Sequence, residues 1–329
     1  MSSFGSRAVH CAAVPAIVLV AALGLVHAQS IGADLQVGPD LRETASIKAS
    51  NAEAYDHFAC GGGNQGHSGN SIALSGDGRT MAVGAPYESG GSRGIDGNPH
   101  DNSAYASGAV YVFVREGDRW VQQAYVKASN TGQSDHFGAS VALSRDGHTM
   151  AVSAHWESSA AAGVNGNQHD ESIRQAGAVY VFTRTGPTWT QQAYIKASNT
   201  GRAGEGDTPG DGDQFGYAVA ISDDGNTIAA GAGDEDCLTP GINPPGCGDD
   251  SPPRGTANIW VGAAYVFARV GGVWTEQAFI KAANARPYNS FGVKLAISGD
   301  GRTLVVGAHN EDGAGNAADD SGAAYVFVY

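Results

Sequence analysis

Four glutamates recur in step along this chain of 329 residues. Glu88, Glu157, Glu235 and Glu311 each follow, at the same distance, the Gly or Ser that opens a Gly-Ala or Ser-Ala pair. If the copies that carry them close around an axis, the four carboxylates lie at one level of one face and form an acidic, ligand-binding collar. The loops that come next are the longest and most polar in each copy. Asp96, Asn98 and Asp101 match Asn165, Asn167 and Asp170 position by position, with Asp249-Asp250 and Asp319-Asp320 in the later copies. Alternating Asp, Asn and backbone carbonyls around Gly suit calcium, which takes roughly six to eight oxygens from flexible loops. Ca²⁺ is therefore the one cofactor expected, although the spacing stops short of a full D-x-[DN]-x-[DN]-G loop.

Catalytic constellations are thinner. His155-Trp156-Glu157 and His309-Asn310-Glu311 share an H-x-E spacing, but zinc needs a third ligand and none is identifiable. Gly66-His67-Ser68-Gly69 is not G-x-S-x-G, because its second Gly comes one residue early and no strand leads into it. Cys237 and Cys247 bracket a Pro/Gly-rich stretch and are expected to form a disulfide, leaving Cys60 alone. Binding is thus the expected role, with a carboxylate-type hydrolase as the alternative.

The elements that must position these residues are repeats. A hairpin block at 71–84 (SIALSGDGRTMAVG) returns at 140–153, 218–231 and 294–307. A second block, GAVYVFVR from Gly108, returns from Gly177, Gly262 and Gly322, and a third, WVQQAYVKASN from Trp120, returns from Trp189 and Trp274. ETASIKASN from Glu43 is a degenerate copy of the third. The period is about 70 to 85 residues, room for four strands and one long loop. Asp-Gly predicts a two-residue hairpin turn in the first block. Val110, Val112 and Val114 on one face with Tyr111 and Phe113 on the other predict a strand covered on both sides. Sheets of this kind, repeated radially, are the blades of a β-propeller. The fold expected is all-β: four blades of four antiparallel strands over 41–329, the last closed by an N-terminal strand at 43–51. An open half-ring completed by a second chain, or a solenoid, would use the same units.

Residues 1–28 have the pattern of an export signal, with Arg7, an apolar core from Cys11 to Val26 and a Val26-His27-Ala28 cleavage site, and 29–40 form a short linker. The expected location is periplasmic, cell-surface or secreted, and bacterial, since no Asn-x-Ser/Thr sequon occurs. Gly is 48 of the 329 residues, about twice the usual share, as tight turns between short strands require. The net charge of -14 disfavours nucleic acid and anionic membrane as partners. A protein or glycan ligand is expected, with no membrane insertion after cleavage, on a monomer or a propeller-completing dimer.

The units resemble FG-GAP repeats, the blade motif of integrin alpha-chain propellers. Phe-Gly stands at Phe137-Gly138, Phe215-Gly216 and Phe291-Gly292, with Phe58-Ala59 as the fourth copy, and Gly-Ala-Pro is literal at Gly84-Ala85-Pro86. The resemblance implies a propeller with an adhesion role. It hands over no calcium loop, because only a short turn such as Ser144-Arg145-Asp146-Gly147 separates the Phe-Gly from the Gly-Ala element.

Overall fold

The computed structural model describes residues 43–61, 69–201, 212–247, 259–312 and 320–329. The signal and linker, His67 and Ser68, Asp249-Asp250 and Asp319 lie outside them. Two units are distinguished, one ending at Ile47 and one running from Lys48 to Tyr329. The described part of the first, 43–47, holds no regular element, and every strand belongs to the second.

The first sheet is β1 (Ile72–Leu74), β2 (Thr80–Ala85), β3 (Ala109–Glu116) and β4 (Arg119–Val126), in that spatial order. The second repeats it with β5 (Val141–Leu143), β6 (Thr149–Ala154), β7 (Ala178–Thr185) and β8 (Thr188–Ile195). In the third, β9 (Val219–Ile221), β10 (Thr227–Ala232), β12 (Ala263–Val270) and β13 (Val273–Lys281) are edged by a short β11 (Gly241–Ile242). The fourth has β14 (Phe291–Ile297), β15 (Thr303–Ala308) and β16 (Ala323–Val328). All pairings are antiparallel, and the first strands of successive sheets pack on one another. The four sheets are stacked as the four blades of a β-propeller. Its core lies between blades: Val110, Val112, Ala124 and Val126 of the first pack on Phe137 and Val141 of the second, as the two-sided apolar pattern of the strands requires.

Two details differ from expectation. The Ser-x-Asp-Gly hairpins are not two-residue turns. The N–H of Gly78 donates to Ser75 O at 2.9 Å, and Gly78 alone takes the left-handed conformation (φ 66°) while Asp77 faces its own loop. The Ser hydroxyl widens the turn by accepting the N–H of Thr80, which a two-residue loop could not offer. Nor do residues 43–49 form a strand, and the last sheet has three. The reason lies at Asn51: its Oδ1 accepts the Tyr111 hydroxyl at 2.6 Å and its Nδ2 donates to Pro99 O at 2.7 Å, which ties the end of that block to the first blade.

Candidate functional site

The strand 2 to strand 3 loops and the Phe-Gly segments share one end of the propeller, where the recurrent glutamates sit. They do not form a collar. Glu88, Glu157, Glu235 and Glu311 are all buried. Lys127 Nζ donates to Glu88 at 2.7 Å and Lys196 Nζ to Glu157 at 2.8 Å, and Lys281 pairs with Glu235. The Tyr125 and Tyr194 hydroxyls add bonds of 2.8 and 2.9 Å to Glu88 and Glu157. An Asn from the preceding Lys-Ala-Ser/Ala-Asn segment completes the set: Asn130 Nδ2 donates to Glu157 at 2.9 Å and Asn284 Nδ2 to Glu311 at 2.7 Å. Burial lowers the pKa of all three lysines, and Glu88 and Glu157 oppose the shift at Lys127 and Lys196. A buried charge survives only when paired and hydrogen-bonded, and these are. The expected ligand collar is therefore corrected to a set of internal braces. A signal for it was present in the sequence, since a Lys recurs in step with the Glu.

The six residues expected to hold calcium are occupied in building their own loops. Asp96 and Asn165, both at positive φ, use Oδ1 to accept the N–H of Tyr125 (2.9 Å) and Tyr194 (3.0 Å) on the outer strands. Asn243 does the same for Phe279 at 2.8 Å, a third copy that spacing did not reveal. Asn98 and Asn167 accept the amides of His100 and His169, and Asp101 and Asp170 those of Ser103 and Ser172. Among the described residues no three His, Cys, Asp or Glu side chains converge as a metal site. Cys237 and Cys247 are disulfide-linked as expected, with Cα atoms 5.6 Å apart. Cys60, expected to be alone, is disulfide-bonded as well.

Sequence reasoning missed a run of rings at the same end. His57 and Tyr87 have centroids 4.6 Å apart, Tyr87 and His136 4.7 Å, His136 and Trp156 4.3 Å, and His155 and Tyr217 5.8 Å, so the run crosses three blades. Tyr87, Trp156 and Tyr217 are half-buried, whereas His136 and His155 are buried. Desolvation lowers the two imidazole pKa values to about 4 and about 3, so both are neutral at physiological pH. Their Nδ1 atoms have no hydrogen-bond partner. His155 and Glu157 do not share a ligand as H-x-E would suggest, because Glu157 turns to Lys196. Asp135 nearby is pushed up to about 8 and Asp213 to about 7, first by burial and then by Glu157 and Asp236 respectively. Each caps a backbone amide, of Gly132 and Gly201.

Comparison with known proteins adds the following. A family model described as FG-GAP repeat matches residues 120–182 and 274–327. No curated protein matches. Solved structures to which the chain is similar include a putative TolB from Agrobacterium tumefaciens, at 13% identity and TM-score 0.32, covering 73% of this chain and 53% of that one. Sqt1 from Saccharomyces cerevisiae matches at 9% identity and TM-score 0.36, covering 73% and 42%. The periplasmic gluconolactonase of Pseudomonas aeruginosa matches at 15% identity and TM-score 0.36, covering 87% and 61%. The chain thus spans about half the length of these proteins. Two stretches fall on the FG-GAP repeat model, each running from an outer strand into the next blade, and the other blades repeat the same blocks in the same order, which is consistent with an FG-GAP repeat protein.

Proposed function

We propose that this propeller is an exported, non-catalytic binding scaffold that takes a glycan or protein ligand on the loop end, against Tyr87, Trp156 and Tyr217. The observation that carries this reading is the run of half-buried rings on the end where the recurrent glutamates are buried and paired. Aromatic side chains supply large contact area at little entropic cost, and long loops on a rigid scaffold are where recognition concentrates. An enzyme of carboxylate type would need two close carboxyl groups in an open concave site. Asp135 and Glu157 are neighbours, but both are buried, one bonded to a backbone amide and the other to Lys196. Export is supported by the sequence of 1–28 and by the Cys237–Cys247 disulfide. No helix among the described residues is long and apolar enough to cross a membrane.

The test is binding of the mature chain to a defined glycan array and to immobilised envelope proteins, with Trp156→Ala and Tyr217→Ala compared against Arg145→Ala at the opposite end. Loss of binding in the first two alone is the expected result. Binding that survives both, or that is lost only with Arg145→Ala, overturns the assignment of the loop end. N-terminal sequencing of the secreted or periplasmic fraction should begin at Gln29, and an intact leader there would overturn export by cleavage.

A further inference from the structure

Three seams join the four blades, and each is built from the same contacts. At the first, Gly108 bridges Phe137, the Gly76 N–H donates to Arg145 O at 2.7 Å, and Arg184 reaches back to Thr80 and Gln123. At the second, the Phe215 N–H donates to Ala176 O at 3.0 Å and the Arg145 N–H to Asp223 O at 2.9 Å, while Arg269 reaches Thr149 and Gln192. The third keeps Gly262 on Phe291 and the Asp223 N–H on Gly299 O at 2.9 Å.

The counterparts for a step from the fourth blade to the first are Gly322, Gly299 and Thr303 on one side and Phe58, Gly76 and Arg115 on the other. Among the described residues these do not meet. A Cβ added at Gly322 would touch His309 and Ala308 of its own blade, and Arg115 turns to its own hairpin, at Gly117 O and Asp118. The faces involved are correspondingly bare. Ile72 is 41% exposed where its counterpart Val141 is 2%, and Val326 is 63% exposed where Val112 and Val181 are 0%. Beside β16 an apolar pocket of about 470 Å³, lined by Val266, Ala278, Ile280 and Phe327 among others, lies where the outer strand of a complete blade would run.

The Lys-Ala-Ser-Asn segments say what belongs there. In each complete copy the Lys pairs with the Glu of its own blade and the Asn binds the Tyr and Glu of the next, as Lys127 does with Glu88 and Asn130 with Tyr180 and Glu157. Asn51 binds Tyr111 and Glu88 of the first blade, so Lys48, which is exposed, belongs to a blade preceding the first. Only two residues lie between Lys48 and Asn51, three Cα steps or roughly 10 Å of extended chain, so that blade must adjoin the first. The fourth blade of the same chain does not.

We infer that two copies of this chain join head to tail, the block ending at Lys48 in one copy adding as the outer strand along β16 of the other. Lys48 then meets Glu311 of the second copy, Ile72 and Leu74 cover Val326 and Val328 of the second copy, and the two-fold repeats the seam to close an eight-bladed ring. An unpaired strand edge and a face built to receive another blade are both satisfied by that one partner.

Light scattering of the unaltered mature protein at micromolar concentration should give twice the chain mass. Mixing separately purified Lys48→Cys and Glu311→Cys proteins under mild oxidation should give a covalent dimer that a reductant dissolves. A chain-mass species overturns the inference, as does a dimer in which the mixed variants fail to cross-link, since that dimer uses another face. A Lys48→Cys/Glu311→Cys double variant that links within one chain also overturns it, by showing that the chain closes on itself.

Discussion

The two ends of the propeller are built from opposite chemistry. At the turn end, Asp77, Asp146, Asp224 and Asp300 sit in exposed or partly exposed Ser-x-Asp-Gly turns, each accepting a hydroxyl from the Ser two residues before it. Hydrogen bonds hold their pKa values below the ordinary carboxylate range, working against partial burial at Asp146. At the loop end the recurrent glutamates are buried with lysines or asparagines, and Asp135 and Asp213 are buried and pushed up. Local bonds between near neighbours in sequence make the first end; Lys–Glu pairs 39 or more residues apart brace the second. Damage should therefore be small and local at one end, large and global at the other.

The largest effect expected is at the Glu157–Lys196 pair. Removing one partner with Lys196→Met leaves Glu157 buried with Tyr194 and Asn130 but no countercharge, and should cost about 3–5 kcal/mol of unfolding free energy. Adding Glu157→Leu should recover most of that loss, because two apolar groups of similar volume need no solvation. Urea denaturation of the two variants checks it. A single variant within 1 kcal/mol of the parent, a threshold of roughly one ordinary hydrogen bond, would mean that water reaches the brace.

The next effect separates the ends by pH. Asp135 has a folded pKa of about 8, far above its unfolded value, so the folded state holds a proton that the unfolded chain releases near pH 4. Its contribution is complete below about pH 4 and is lost as pH rises to about 8. His136 and His155 act with the opposite sign. Their folded values of about 4 and about 3 lie below the usual imidazole value, so their contribution is present above about pH 6.5 and lost as pH falls toward those values. Asp135→Asn should flatten the decline in urea midpoint between pH 4 and 8, and His155→Phe should flatten the acid side. Turn-end variants should leave both slopes in place: their cost is present at neutral pH and shrinks only as pH falls through and below the ordinary carboxylate range, where the parent's own aspartates become protonated.

The same division explains what was legible in the sequence. At the turn end the place of each hairpin was legible, because the Ser-x-Asp-Gly segment recurs four times, but its length was not, because the Ser75 hydroxyl takes the Thr80 N–H and widens the turn beyond two residues. Strand order and the two-sided burial of β3, β7 and β12 were also legible, because a period of two shows directly which positions face a neighbour. The glutamates were seen as a set but misassigned: charge in a repeat reads as surface until the long-range partner, here a Lys at the end of the outer strand, is brought to it. Part of the run from His57 to Tyr217 does recur, since His57 and His136 each precede the Phe of a blade's first segment and Tyr87 and Trp156 each precede a recurrent Glu, but Tyr217 has no aromatic counterpart in the other copies and the stacking across blades shows only in the fold. Residues 43–51 match the third block well enough to suggest a strand, but pairing depends on an available neighbour, and Asn51 fixes the segment at the first blade.

The smallest expected effect is the one that tests whether the turn end is local. Asp146 Oδ1 accepts the Ser144 hydroxyl at 2.6 Å and the His148 N–H at 2.9 Å, and the Ser144 oxygen accepts the Thr149 N–H at 2.9 Å. Asp146→Ala frees a hydroxyl and an amide that water can reach, so the cost should be about 1 kcal/mol, the net worth of one or two solvent-accessible hydrogen bonds. Asp146→Asn keeps the accepting oxygen and should cost less. The turns are also bonded to one another through backbone atoms, Gly76 to Arg145, Arg145 to Asp223 and Asp223 to Gly299. If those bonds transmit the damage, an Asp146→Ala/Asp224→Ala double variant will lose more than its two singles together, since residues in one network couple while distant ones add. Additive losses keep the turns as independent caps at the ends of their own hairpins. A coupling of 1 kcal/mol or more, at the scale of roughly one hydrogen bond, would make the turn end a single cooperative belt and remove the contrast with the loop end.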